Sequence, residues 1–337
     1  MKRYNIAIVG ATGLVGRTFI KVLHERNFPV GSLSLYASER SAGTVLQFKD
    51  TEIVVEKLTK DSFKGKDIAL FSAGKNVSSK YAPIAAEQGC VVVDNSSAWR
   101  RNESVPLIVP EVNAAECRTH KGILAVPNCN VIPLALPLMA IDTKYKVKRA
   151  VVSTYQSISG AGNKGLEQMF AEIRGETNYN RITKHKIAYN AFFHEIEEPY
   201  GFSIEEQKLQ FEIRKILKLP SLALAATCVR LPTIGGHCLS VNLELAEHFE
   251  LDDVKELMTG LDGVVVVESP ETEDYPTPQL AKDTDLIYIG RLRRDDTVEN
   301  GLYLWIVADN VRKGAATTAV QIAEIIINDN LFDFMSL

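Results

Sequence analysis

The strongest constraint on the fold lies in the first two dozen residues. Residues 5–9, Asn-Ile-Ala-Ile-Val, read as a short apolar strand, and Gly10-Ala11-Thr12-Gly13-Leu14-Val15-Gly16 follows it directly. Helical character then sets in over residues 18–23. Glycines at that junction allow a tight turn, close approach of a ligand to the backbone, and close packing of helix on strand. The first helical turn also presents unpaired N–H groups to a phosphate. The spacing is GxxGxxG rather than GxGxxG, so the motif alone is weak. Its force comes from its place after a first strand and ahead of further β/α alternation. Gly10, Thr12, Gly13, Leu14 and Val15 are accordingly the candidate contacts for the pyrophosphate of a dinucleotide.

Apolar runs at 33–37, 68–72 and 91–94 predict further strands, and 79–88 has helical character. Strands alternating with helices predict a parallel, doubly wound sheet. Beyond about residue 145 the pattern changes. Strands are expected at 150–155, 222–230, 238–245, 264–268, 286–292 and 303–307, several with no helix between them. That predicts an α+β domain with a mostly antiparallel sheet, interrupted by helices near 165–175 and 204–217. Good helix formers over 315–328 predict a return to the first domain. The fold class is therefore α/β: a Rossmann-like domain over 1–128, completed by a C-terminal helix in 310–337, and a second domain over 129–309.

Composition removes several classes of function. The formal net charge is −4, with no basic surface of the kind nucleic acid requires. Five cysteines, an odd number without CxxC spacing, argue against a disulfide framework or a zinc site and fit a reducing cytoplasm. No metal is expected. The apolar stretch after Met1-Lys2-Arg3 is too short for a secretory signal. Residues 122–141 carry no charge and approach the length of a membrane span. Pro127, Pro133 and Pro137, with Asn128 and Asn130, break a continuous helix there, so strand, tight turn and buried helix are expected and no membrane partner.

Cys129 lies in that turn, within Val126-Pro127-Asn128-Cys129-Asn130. A thiol near a helix start is favoured as thiolate by unpaired N–H groups and the helix dipole. Taken alone it reads as a small buried hydrophobe, as most free cysteines are. Arg230 and His237, seven residues apart, add a cation and a group able to move protons. Nucleophile, dinucleotide loop and base together point to hydride transfer involving a thioester. The end of the second strand selects the cofactor: an acid holds the ribose of NAD, and an arginine favours the 2′-phosphate of NADP. Arg40 and Ser41 favour NADP(H), while Glu39 keeps NAD open.

These segments, taken in order, resemble the aspartate-β-semialdehyde dehydrogenase family from end to end. They are residues 10–16, Ser38-Glu39-Arg40-Ser41-Ala42-Gly43, Val93-Asp94-Asn95-Ser96-Ser97, Val109-Pro110-Glu111-Val112-Asn113 and Pro127-Asn128-Cys129. Residues 154–162, Glu205-Glu206-Gln207-Lys208, Arg230-Leu231-Pro232 with Gly236-His237, Tyr275-Pro276-Thr277-Pro278 and residues 309–314 complete them. Ten short motifs in the right order are specific where each alone is not.

The resemblance implies reversible, NADPH-dependent reductive dephosphorylation of L-aspartyl 4-phosphate to aspartate semialdehyde and inorganic phosphate. It places the enzyme in the biosynthesis of lysine, diaminopimelate, threonine and methionine. Cys129 would form a thioacyl intermediate, splitting one hard displacement into two easier steps. His237 would be the acid–base catalyst and Gln156 would orient the acyl group. Arg230 would grip the α-carboxylate and Glu205 the ammonium. Arg100, Lys208 and Asn128 would hold the phosphate; Trp99-Arg100 matches the family's aromatic–Arg pair, with Arg101 the adjacent alternative. Ser159, Gly160 and Asn310 would surround the nicotinamide. The second domain would serve catalysis and dimerisation, in a cytoplasmic homodimer or homotetramer.

The chain departs from the family pattern at Asn130, where serine or threonine is common; asparagine can also cap a helix. Competing readings are an N-acetyl-γ-glutamyl-phosphate reductase, a relative reducing an acyl-CoA, and a non-catalytic dinucleotide-binding paralogue. Glu205 discriminates against the first, because an acetylated nitrogen needs no acidic partner. A phosphate clamp would be unnecessary for the second, and retention of Cys129, Gln156, Arg230 and His237 argues against the third.

Overall fold

Alternation of strand and helix at the N-terminus produces β1 (Tyr4–Val9), α1 (Leu14–Glu25), β2 (Val30–Ala37), β3 (Val45–Phe48), β4 (Thr51–Val54) and β5 (Glu56–Lys57). It continues with β6 (Ile68–Phe71), α2 (Lys75–Glu87), β7 (Val91–Asp94), α3 (Pro110–Asn113) and β8 (Ile123–Ala125) in this computed structural model. The structure describes residues 2–197, 199, 201–269 and 271–334. A six-stranded sheet has the order β5-β2-β1-β6-β7-β8, and every neighbouring pair is parallel. Ile6 to Val9 and all of β6 and β7 are buried without alternation, as parallel strands covered on both faces must be. The antiparallel pair β3–β4 stands outside this sheet and was not anticipated from sequence.

The next stretch comprises α4 (Val131–Tyr145), β9 (Val147–Ser157), α5 (Asn163–Ile173), β10 (Phe192–Phe193), β11 (Ile196–Glu197), β12 (Phe202–Ser203) and α6 (Ile204–Leu217). It ends with β13 (Ala223–Leu231), β14 (His237–Leu245), α7 (Leu251–Thr259), β15 (Val264–Val266), α8 (Pro278–Ala281), β16 (Ile287–Asp295) and β17 (Gly301–Ala308). Seven of the strands form a second sheet, β10-β13-β9-β14-β17-β16-β15. It is mostly antiparallel, but β9–β13 and β15–β16 run parallel. The β9–β13 ladder sets Arg230 beside Gln156.

Strand β8, a turn and the buried helix α4 occupy this stretch as expected, but Pro133 and Pro137 do not break the helix. Pro133 falls in its first turn, where the missing N–H has no intrahelical partner in any case. Pro137 lies inside, yet the helix continues to Tyr145 because nearly every side chain on it is buried. Packing outweighs the single lost hydrogen bond.

By internal contacts the chain divides into Met1–Asn128 with Ala315–Leu337, and Cys129–Gly314. Residues 310–314, grouped from sequence with the returning helix, therefore belong to the second unit. The cause is local: the Asp309 carboxylate accepts the N–H groups of Val311 and Arg312, and its carbonyl accepts that of Gly314. These bonds curl the segment back on the end of β17. A π-helical turn, Arg312–Ala316, then leads into α9 (Thr317–Asn328), which packs on α1, α3 and β7 of the first unit.

Candidate active site

In the first unit the glycine loop is shaped by contacts that exclude side chains. Gly10 has φ +88°, and a Cβ there would lie 2.4 Å from the Ser72 carbonyl oxygen. A Cβ on Gly16 would lie 2.1 Å from the Gly10 oxygen, so helix and loop touch through backbone. Gly13 is the N-cap of α1, with Leu14 and Val15 opening the first turn; no acidic side chain enters that turn and no side chain caps it. Thr12 accepts from the Arg17 side chain through its carbonyl. A turn closed against side chains, at a helix start free of acids, suits a pyrophosphate. At the end of β2, Glu39 pairs with Lys57 at 2.9 Å, while exposed Arg40 makes no ion pair among the described residues and Ser41 follows it.

Arg100 also lies in the first unit, on a loop built around buried Asp94. That carboxylate accepts the N–H and hydroxyl of Ser96, and Trp99 Nε1 donates to Ser78. Arg100 is itself buried and donates from Nη2 to the Asn95 carbonyl at 2.7 Å. Asn128, equally buried, closes this unit's first segment.

The other candidates lie in the second unit. Cys129 precedes α4 by two residues. Asn130 is the N-cap, but its side chain makes no capping bond, so the capping role considered from sequence is not the one it plays. Among the five free thiols Cys129 alone is partly exposed. Burial pushes Cys117, Cys228 and Cys238 up to about 12, and Cys90 further still. Four thiols are thus held protonated in the interior. Gly314 packs against Cys129: a Cβ there would sit 3.1 Å from that of the cysteine.

Gln156 and Arg230 share a face of the sheet as ladder partners, and Gln156 Nε2 donates to Thr154 Oγ1. Gly160 meets both Arg230 and His237; a Cβ on it would be 3.1 Å from Arg230 Nη1 and from His237 Nε2. Only glycine lets the guanidinium and imidazole converge there. Ser159 donates to Asn310 Oδ1 at 2.9 Å, so these two expected nicotinamide contacts are joined. Glu205 and Lys208 lie one turn apart on α6 and pair at 3.1 Å, each the other's counter-ion.

Helix α6 is locked in place by a capping box between Ser203 and Glu206. The other carboxylate oxygen of Glu206 accepts the N–H of Cys228 in β13 at 3.0 Å, which fixes Glu205 and Lys208 relative to Arg230. Glu206→Ala removes both. We expect a loss of about 2–3 kcal/mol of stability, read from the denaturation midpoint, with a raised substrate KM. An unchanged midpoint would mean the tie carries no load.

His237 is fully buried and accepts the Ser157 N–H at Nδ1, 3.0 Å away. Its neutral ring must then carry the proton on Nε2, which has no hydrogen-bond partner among the described residues. Burial first, then the neighbouring Arg230, press its pKa down to about 3. In this state Nε2–H is a hydrogen-bond donor.

The stability linkage follows directly. The unfolded imidazole takes up a proton near its ordinary value of 6.5, whereas the folded one does so only near 3. The contribution is complete above about pH 6.5 and lost as pH falls below it. Melting temperature should therefore fall more steeply between about pH 6.5 and 4 in the wild type than in His237→Gln. Parallel curves would refute the buried neutral ring.

Sequence reasoning missed Thr154, Ser157, His194, Asp309 and Gly314 as individual contributors. Most lie inside motifs noticed for other residues; His194, whose Nδ1 is 3.2 Å from Arg230 Nη2, carried no signal.

The first unit carries a glycine-shaped dinucleotide loop, and the second a partly exposed thiol whose charge acts on a buried guanidinium that meets a buried imidazole; these are the parts of a thiol-dependent dehydrogenase. Residues 5–120 match the family model "Semialdehyde dehydrogenase, NAD binding domain", and residues 137–313 match "Semialdehyde dehydrogenase, dimerisation domain". The chain belongs to the semialdehyde dehydrogenase family and is an enzyme of that class. It is 47% identical to the aspartate-semialdehyde dehydrogenase of Aquifex aeolicus, over 97% of this chain and 99% of the relative. It is 41% identical to that of Bacillus subtilis, over 97% and 98%. The structure of Vibrio cholerae aspartate semialdehyde dehydrogenase II complexed with ASA superposes with a TM-score of 0.93 at 38% identity, covering 98% of this chain and 99% of that one. Among the described residues no helix is long and apolar enough to cross a membrane.

Proposed function

We infer that this protein is an aspartate-semialdehyde dehydrogenase, reducing L-aspartyl 4-phosphate to aspartate 4-semialdehyde and inorganic phosphate, reversibly. The observation that carries the reading is that one unit holds the sole partly exposed thiol, a buried guanidinium on which that thiol's charge acts, and a buried neutral imidazole that meets the guanidinium at Gly160. Cys129 as thiolate attacks the acyl carbon; the C–S bond forms and the C–O bond to phosphate breaks, leaving a thioester. NADPH, when bound, supplies the hydride that reduces it. The tetrahedral oxyanion on Cys129 then collapses, expelling the thiolate and releasing the aldehyde. His237 Nε2–H donates to the developing oxyanion, and Gln156 orients the acyl group. Arg230 binds the α-carboxylate and Glu205 the ammonium. Lys208 binds the phosphate in the second unit, so substrate binding draws it from Glu205.

NADP is favoured over NAD, because Lys57 engages Glu39 while Arg40 and Ser41 stay available to a 2′-phosphate. Ser159, Gly160 and Asn310 border the nicotinamide. The protein works in the cytoplasm as a homodimer or homotetramer through its second domain. The direct test runs the oxidative direction, with aspartate semialdehyde, phosphate and NADP or NAD, followed by absorbance of the reduced cofactor. Phosphate-dependent reduction, faster with NADP, is expected. No signal from protein that still binds nucleotide would remove this substrate.

A further inference from the structure

Arg230 is only 8% exposed, yet among the described residues its hydrogen bonds go to two neutral acceptors. Nη1 donates to the Ser157 carbonyl at 3.1 Å, and Nη2 lies 3.2 Å from Nδ1 of His194. A guanidinium can only donate, so His194 Nδ1 accepts and the ring keeps its proton on Nε2. That Nε2 is buried and has no hydrogen-bond partner among the described residues.

The fold holds His194 at this spot from both sides. Strand β10 pairs with β13 so that Phe192 faces Arg230 in the ladder, two residues before His194. Glu195 accepts the N–H of Ile204 at the start of α6. Further back, Glu172 accepts the N–H groups of Ile187 and Ala188, tying the approach to β10 onto α5. Glu205 and Lys208 are the other charged groups acting on His194, one opposing and one reinforcing the effect of Arg230. Burial outweighs them and holds the ring down to about 4, so it stays neutral through the physiological range.

We propose that His194 is a positioning residue for substrate recognition: a neutral acceptor that aims the guanidinium of Arg230 while leaving its positive charge for the substrate carboxylate. This rests on the reading above that Arg230 binds that carboxylate. A carboxylate in place of His194 would hold Arg230 as well or better. It would also complete a buried ion pair and so consume the charge the substrate needs. The imidazole separates two jobs that an acid would merge, fixing the donor and preserving its charge.

The isosteric pair His194→Asn and His194→Asp tests this, because the two differ in charge at nearly the same shape. For His194→Asn we expect a KM for aspartate semialdehyde within about threefold of wild type. For His194→Asp we expect KM raised by about 30-fold or more, with kcat less affected and the melting temperature unchanged or higher. A merely structural role would move stability and KM together, so opposite movement supports the proposal. Equal KM values for the two variants would overturn it. Should His194→Asp not fold, His194→Ala decides: KM raised about tenfold beside a near-normal His194→Asn supports the proposal, and an unchanged KM overturns it. Wild-type protein inactive on aspartate semialdehyde would instead defeat the functional reading, which keeps the two failures apart.

Discussion

Cys129→Ala is expected to slow turnover by at least about 10⁴-fold, while nucleotide affinity stays within about twofold of wild type. The nucleophile is lost, but Gly10, Gly13 and Gly16 belong to the other unit and are untouched. The same variant gives a chemical readout that needs no substrate. Native protein should react with an alkylating reagent at one thiol per chain, and Cys129→Ala at none. Cys90, Cys117, Cys228 and Cys238 are buried, and their thiols are held protonated. Rapid labelling of a second cysteine, or loss of nucleotide binding with the thiol, would mean that Cys129 supports the fold rather than the chemistry.

Gly10→Ala should be the most damaging single methyl group in the chain. It asks a side chain to accept φ +88° and to stand 2.4 Å from the Ser72 carbonyl oxygen, with carbonyl carbon and the next amide close behind. Both features penalise the same atom, so a shift that relieves one does not relieve the other. We expect a loss of about 3 kcal/mol or more and nucleotide binding too weak to measure by titration. Gly43→Ala serves as the control, because it shares φ +88° but faces open space. Its loss should be limited to the backbone cost, about 1–2 kcal/mol. Equal effects at the two positions would show that the close approach to Ser72 is unimportant.

How much of this was legible in the sequence depends on the range of the interactions involved. Helix α6 was readable at both ends: the capping box Ser203–Glu206 opens it and the apolar period ends at Leu217. Strand β7 was equally plain, four apolar or strand-ending residues after a glycine turn. The short strands β3, β4 and β5 were not, since they are half to fully exposed and carry mixed polar residues. Cys129 and the glycine loop could be found because their motifs are contiguous. The parallel ladder that joins Gln156 to Arg230 could not, because pairing across so long a separation leaves no local pattern. His194 is the clearest case. It sits next to no motif and reaches Arg230 only because β10 happens to be the edge strand there. The tautomer of His237 also depended on a neighbour far off in the chain, the backbone N–H of Ser157.

The division of the chain has a consequence for its synthesis. The parallel sheet is encoded before the second unit, yet the helix that packs on α1, α3 and β7 is encoded after it, and its ion pair Arg26–Glu324 joins segments 298 residues apart. A nascent chain emerging from the ribosome must carry that open flank through the translation of the whole intervening unit, Cys129–Gly314. The usual order, in which the N-terminal domain finishes before the next begins, is closed to it. The intervening unit is continuous and can collapse on its own, which brings the two outer segments within reach and shortens the loop that remains to be closed. Vectorial production thus favours an inside-out sequence of assembly, with the nucleotide-binding lobe the last part of the polypeptide to mature.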